Sequence, residues 1–269
     1  MVQILVPIDF STSAMHALEY ALKLGEKMPS NICLIHCLSD LVEETNAILS
    51  NKQVEVELQK IKTDLTQKHP SQKVTVRIEQ GYPEDILVGI SKRDEPDVIV
   101  MGTKSKEETI KELLGSVTSD VIKKARVPVL AVPHKSSVNL DRLNRILFVT
   151  DFGESDYRSL HKLVRLVSPF ETQIHAVHFT TSMPDKWDKK RIEQMQAYCE
   201  KTYRNHTMDF EFITGSDFLH ALDVYMANKS IDMIAMTRHK RNMISKIFHS
   251  SITRKLLFHT EVPLLVFHE

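Results

Sequence analysis

The chain has 269 residues, of which 42% are hydrophobic and 26% charged, with 35 Lys+Arg set against 35 Asp+Glu. That length suggests two domains, each large enough to bury its own core, and the composition excludes wholesale disorder or a collagen-like repeat. A formal net charge of zero lacks the basic surplus of a chain that grips phosphate backbones over a large surface, so nucleic acid is not an expected partner.

In chain order, Met1-Val2-Gln3-Ile4-Leu5-Val6-Pro7-Ile8-Asp9 opens with no basic leader, and its apolar run is too short for a signal sequence. It reads instead as a strand buried on both faces. Ser11, Thr12 and Ser13 offer N-cap oxygens to a helix whose Ala14, Leu18, Ala21 and Leu22 share one stripe. A second strand carries Cys33, His36 and Cys37. The two cysteines are four apart on one face and too distant for a disulfide, so they read as small core hydrophobes. With Cys199 they make an odd number in no metal-ligand spacing, which points to a reducing, cytoplasmic setting. Further on come the turn Gln80-Gly81, a strand Val98–Met101 that Gly102 ends, Gly115-Ser116 before the periodic Val117, Val121 and Ile122, and a last strand Val127–Val132. No segment approaches the roughly 20 apolar residues of a membrane span.

The pattern then starts again. Ile4–Phe10 recurs as Ile146–Phe152 at an offset of 142 residues, and Asp97–Thr103 recurs as Asp232–Thr237 at an offset of 135. Val127–Val132 recurs as Val262–Phe267 at that same offset, the first copy carrying the extra residues between about Leu38 and Lys73. Strand–helix alternation repeated four or five times per copy is the pattern of a doubly wound, Rossmann-like α/β sheet with right-handed crossovers. Residues 1–135 are expected to form the first domain, residues 136–143 a linker, and residues 144–269 the second.

In such a sheet a ligand sits outside the carboxyl ends of the strands, where strand order reverses. Three features of the first copy meet there. Asp9 supplies a carboxylate at a strand end, Gly102 leaves room for a ligand near the backbone, and Gly115-Ser116 precedes a helix whose free N–H groups and dipole favour phosphate. Neither the P-loop nor the dinucleotide fingerprint is present.

The first copy resembles the universal stress protein family, in which a strand ending Val-Pro-x-Asp opens the domain. Nucleotide-binding members carry Gly-x2-Gly-x9-Gly-Ser/Thr after the fourth strand. Here Gly102 is followed by Ser105 where the motif has its second glycine, then by nine residues and Gly115-Ser116. The second copy aligns as Thr237–Lys240, nine residues, and Ser250-Ser251, so all three motif glycines are absent. The resemblance implies ATP, alone or with Mg2+, in the first domain. It implies Pro7 and Asp9 at base and ribose, the backbone near Cys37 at adenine, and Gly102, Ser105, Gly115, Ser116 and Val117 around the phosphates. It implies no ATP in the degenerate second domain.

Other candidates read as structure. His175 and His178 lie three apart on a strand and point to opposite faces, so they cannot share an ion, and no metal site is expected. His178 aligns with His36, which suggests a repeated packing or ligand-edge role. Arg238-His239-Lys240-Arg241 reads as a solvated loop. No nucleophile elbow or Ser-His-Asp order stands out, so a binder with at most slow ATP hydrolysis is expected rather than a dedicated catalyst. The rival expectation is a scaffold or small-ligand module with both sites decayed.

The resemblance also implies that the two copies pair through their last strands as an intramolecular pseudo-dimer with a near two-fold axis, with further homodimerisation open. Val127–Val132 and Val262–Phe267 offer two matching apolar edges. Isolated residues 1–135 are therefore expected to self-associate in sedimentation-velocity experiments. A clean monomer of undiminished stability would count against the shared edge.

Overall fold

The computed structural model describes residues 1–38, 51–103, 116–238 and 261–269. Contacts divide the chain into two compact units, Met1–Leu140 and Asp141–Glu269. Among the described residues, no helix is long and apolar enough to cross a membrane.

In the first unit the elements alternate: β1 (Val2–Pro7), α1 (Thr12–Glu26), β2 (Ser30–Leu38), α2 (Asn51–Lys68), β3 (Lys73–Gln80), α3 (Pro83–Arg93), β4 (Val98–Thr103), α4 (Ser116–Lys124) and β5 (Val129–Pro133). Its strands run parallel in the order β3-β2-β1-β4-β5. The second unit repeats the plan with β6 (Arg145–Val149), α5 (Glu154–Val167), β7 (Gln173–Thr180), α6 (Lys186–Thr202), β8 (Met208–Thr214), α7 (Phe218–Lys229), β9 (Met233–Arg238) and β10 (Leu264–His268). Its parallel order is β8-β7-β6-β9-β10. Each unit is thus doubly wound, with strand order reversing between β1 and β4 and between β6 and β9.

The central strands are apolar without alternation because helices cover both faces of the sheet. Ile4, Leu5 and Val6 of β1 and Ile146, Leu147, Phe148 and Val149 of β6 are all buried. Each following helix turns its apolar stripe inward, with Ala14, Leu18, Ala21 and Leu22 buried on α1 and Leu160, Leu163, Val164 and Val167 on α5. Ser11 caps α1, its hydroxyl oxygen accepting from the Ala14 N–H at 3.2 Å.

The repeat extends to a detail of the strand-to-helix turn. Phe10 (φ 62°) and Phe152 (φ 54°) both adopt the left-handed backbone that a bulky residue enters only when its surroundings fix it. What fixes them is a histidine on the next strand. The His36 ring packs against Phe10 at 5.1 Å and its Nδ1 lies 2.6 Å from the Ile8 carbonyl; the His178 ring packs against Phe152 at 5.8 Å with Nδ1 2.9 Å from the Thr150 carbonyl. A carbonyl only accepts, so Nδ1 carries the proton in each ring. The aligned histidines therefore pin the same turn in both units. His175, as its spacing predicts, points to the opposite face of the sheet from His178, where it lies beside Asp209 of β8, while His178 packs on Phe212 of the same strand.

The helix starts differ. The residue aligned with Ala14 is Asp156, fully buried, and its Oδ2 accepts from Thr150 Oγ1 at 2.8 Å, the Asp151 N–H at 2.9 Å and the Gly153 N–H at 3.3 Å. One carboxylate thus ties the whole β6–α5 turn. Asp156→Ala is expected to strand those donors and cost on the order of 3 kcal/mol by urea denaturation. A change below about 0.5 kcal/mol, the usual size of a surface substitution, would show that the turn holds without it.

Candidate functional site

A cavity of about 820 Å3 lies in the first unit at the strand-order reversal, lined by the carboxyl ends of β1, β2 and β4 and by the first turns of α1, α3 and α4. Its volume falls within the usual range of small-molecule sites, roughly 300–1,000 Å3. Of the residues singled out from sequence, Pro7, Asp9, Cys37, Gly102 and Val117 line it together. Ser105 and Gly115 lie outside the described residues, and Ser116 opens α4 with a side chain that also lies outside them.

Asp9 is exposed at the end of β1, and its Oδ1 accepts from the Ser11 N–H at 3.0 Å and from Ser11 Oγ at 2.5 Å. Among the described residues Oδ2 has no bond of its own, which leaves one acceptor for a ligand hydroxyl. The hydroxyls nearby are committed elsewhere. Ser13 Oγ donates to the Thr103 carbonyl at 2.6 Å, and Thr118 Oγ1 donates to the Gly102 carbonyl at 3.0 Å. These two bonds pin the first turns of α1 and α4 to the end of β4. The described part of α4 begins at Ser116, and Val117 and Thr118 bring it to the cavity wall.

Gly102 is needed for a different reason from the one its position suggests. A Cβ there would collide with the carbonyl and hydroxyl oxygens of Ser13, so the bare Cα makes room for α1 and not, in the first place, for a ligand. The second unit has Thr237 at that place, fully buried, with Oγ1 lacking a hydrogen-bond partner among the described residues. The Thr237 side chain fills space that Gly102 leaves open, so the two strand ends differ in shape there.

Most of the lining is not placed at the site by the sequence reading, three aromatic side chains included. Phe10 and His36 reach the cavity as the clamped pair of the β1–α1 turn, and His134 reaches it just after β5. Only His36 had left a signal, its alignment with His178. Cys37 is half-buried, and burial, then the Glu79 and Glu84 carboxylates, push its thiol up to about 11. It is a neutral wall residue at physiological pH and no nucleophile. In the basic segment, Arg238 ends β9 half-buried, its Nε without a hydrogen-bond partner among the described residues, whereas residues 239–241 lie outside them.

With this geometry in view, comparisons with known proteins are informative. A sequence model of the universal stress protein family matches residues 1–133. A universal stress protein of Methanocaldococcus jannaschii is 30% identical over 156 residues, covering 50% of this chain and 96% of that protein. Among solved structures, a universal stress protein from Archaeoglobus fulgidus aligns over 99% of this chain and 98% of its own, with a TM-score of 0.76 at 21% identity. A functionally unknown protein from Pseudomonas aeruginosa aligns over 99% and 92%, with a TM-score of 0.67 at 14% identity. At those identities the two structures show the fold alone.

The thiol of Cys37 gives a direct check on the site's electrostatics. Raised from 9.0 to about 11, it ionises some hundredfold less at pH 7.5 than in the unfolded chain. Alkylation mapped by mass spectrometry should be slower by about that factor in the folded protein. Equal rates folded and unfolded would contradict the environment described.

Proposed function

The chain belongs to the universal stress protein family, and from that premise we propose that its first unit binds an adenine nucleotide of the ATP type, the protein acting in the cytoplasm by conformation or protein partners rather than by turnover. The observation that carries this reading is the cavity at the β1/β4 reversal, which Asp9 at the end of β1 and Val117 and Thr118 of α4 line together. A nucleotide needs both ends of that arrangement. The carboxylate accepts from ribose hydroxyls, the strand end near Pro7 and Cys37 offers backbone to the adenine edge, and the helix N-terminus receives phosphate without requiring a lysine. Mg2+, if it accompanies the nucleotide, would be held through the phosphates and Asp9.

Slow chemistry at most is expected of these residues. Phosphoryl transfer requires a positioned water or nucleophile together with cations aimed at the developing charge. Asp9 is tied down by Ser11, and Cys37 is a neutral thiol. The second unit is assigned no nucleotide, because the Asp156 carboxylate already takes the donors at the end of β6 and Thr237 replaces the glycine.

A second reading, a scaffold or small-ligand module without nucleotide, draws on Ser105 at the motif's second glycine and on Ser13 accounting for Gly102. Calorimetric titration with ATP separates the two. Gly115→Val, which puts a side chain just ahead of α4, should abolish binding, while Ser250→Val should leave it intact. Equal losses would place the ligand elsewhere, and no heat with the unaltered protein would favour the scaffold. Single-turnover hydrolysis in the ordinary enzyme range, about 1–10³ per second, would contradict a binder.

A further inference from the structure

The second unit contains a polar cluster unrelated to the strand-end site. β7 and β8 are in register with His175 opposite Asp209 and Val177 opposite Glu211, so the two acids, two apart, share a face of β8 beside the histidine. His175 is only 3% exposed, yet neither ring nitrogen has a hydrogen-bond partner among the described residues. Its Nδ1 is 3.3 Å from Asp209 Oδ2 but out of line for a hydrogen bond. One ring nitrogen of His175 and one oxygen from each of Asp209 and Glu211 lie within 4.8 Å of one another.

A histidine buried for packing alone satisfies at least one nitrogen, because leaving both unmade costs the full desolvation of the ring. A ring nitrogen with no hydrogen-bond partner, set within 4.8 Å of two carboxylate oxygens, is an arrangement that a cation between them would complete. The acids are arranged to hold such a charge. Gln173 Nε2 donates to Asp209 Oδ2 at 2.6 Å and Lys229 Nζ to Glu211 Oε1 at 2.9 Å, so each carboxylate is already oriented by an outer partner, as metal-binding carboxylates are. Both acid side chains are about two-fifths exposed, 40% for Asp209 and 38% for Glu211, which gives an ion its path in and lets the carboxylates close on it.

We propose that His175, Asp209 and Glu211 form a binding site for a divalent cation of the zinc class. One imidazole nitrogen with two carboxylate oxygens suits Zn2+ and its neighbours Co2+ and Mn2+, whereas Ca2+ and Mg2+ select oxygen alone. Three protein ligands leave the fourth tetrahedral position to water, so the ion sits at an open surface and not in a closed structural cage. The sequence pair His175/His178 concealed this site, since the histidine's partners come from the neighbouring strand.

The test is Zn2+ alone, titrated by calorimetry into the full chain after chelator treatment, with Co2+ as a spectroscopic stand-in. Asp209→Asn and Glu211→Gln are the informative variants, because they keep size at half-exposed positions, whereas His175→Ala would open the core. One Zn2+ per chain is expected, weakened at least tenfold in either variant while circular dichroism is unchanged. Visible Co2+ bands of a tetrahedral site should fade in both. Binding of equal strength in the variants, or no binding at micromolar Zn2+, overturns the proposal. The titration contains no nucleotide, so its outcome is independent of the reading of the first unit.

Discussion

The first turn of α1 rests directly on the end of β4, and the geometry of the strand-end cavity follows from that contact. Gly102 permits it, since any side chain there would meet the Ser13 backbone. Ser13 and Thr118 then fasten α1 and α4 to successive carbonyls, those of Thr103 and Gly102. The start of α1, the described start of α4 and the ends of β1 and β4 are thereby held around one space, which Asp9, Val117 and Thr118 line. Groups fixed in this way leave little to be ordered when a ligand enters such a space.

The second unit shows what the same fold does with Thr237 in the place of Gly102 and Asp156 in the place of Ala14. Its β6–α5 turn has the same left-handed phenylalanine and the same histidine clamp, so the path of the chain is conserved between the copies. The donors, however, are turned inward. Asp156 gathers the N–H groups of Asp151 and Gly153 and the hydroxyl of Thr150 on one buried carboxylate. A turn whose donors are satisfied internally gains nothing from a phosphate or a ribose. The two turns thus differ chiefly at the positions aligned with Ala14 and Gly102, where the second unit carries Asp156 and Thr237.

What could be read from sequence divides along a physical line. Strands buried on both faces, the helical stripes of α1 and α5, the Ser11 cap and the internal repeat depend on local periodicity, and the strand order of each unit follows from known connection rules. Asp9 and Gly102 could be drawn to one edge because the topology brings strand ends together, whereas Pro7, Cys37 and Val117 are placed there by the family resemblance. The reason for Gly102 could not be read, because it lies in a contact with Ser13, 89 residues away in the chain. Nor could the tie of Asp156, the arrival of His134, or the partners of His175 on β8, each of which is set by packing between elements distant in sequence.

Gly102→Ala tests the central claim most directly, with urea unfolding and ATP calorimetry performed on the same variant. If the bare Cα exists to seat α1, one added methyl group overpacks the contact, lowers stability by about 1–3 kcal/mol and weakens the ligand together with it. A variant that keeps its full stability and loses only ATP would contradict the account, because the glycine would then serve the ligand and not the helix.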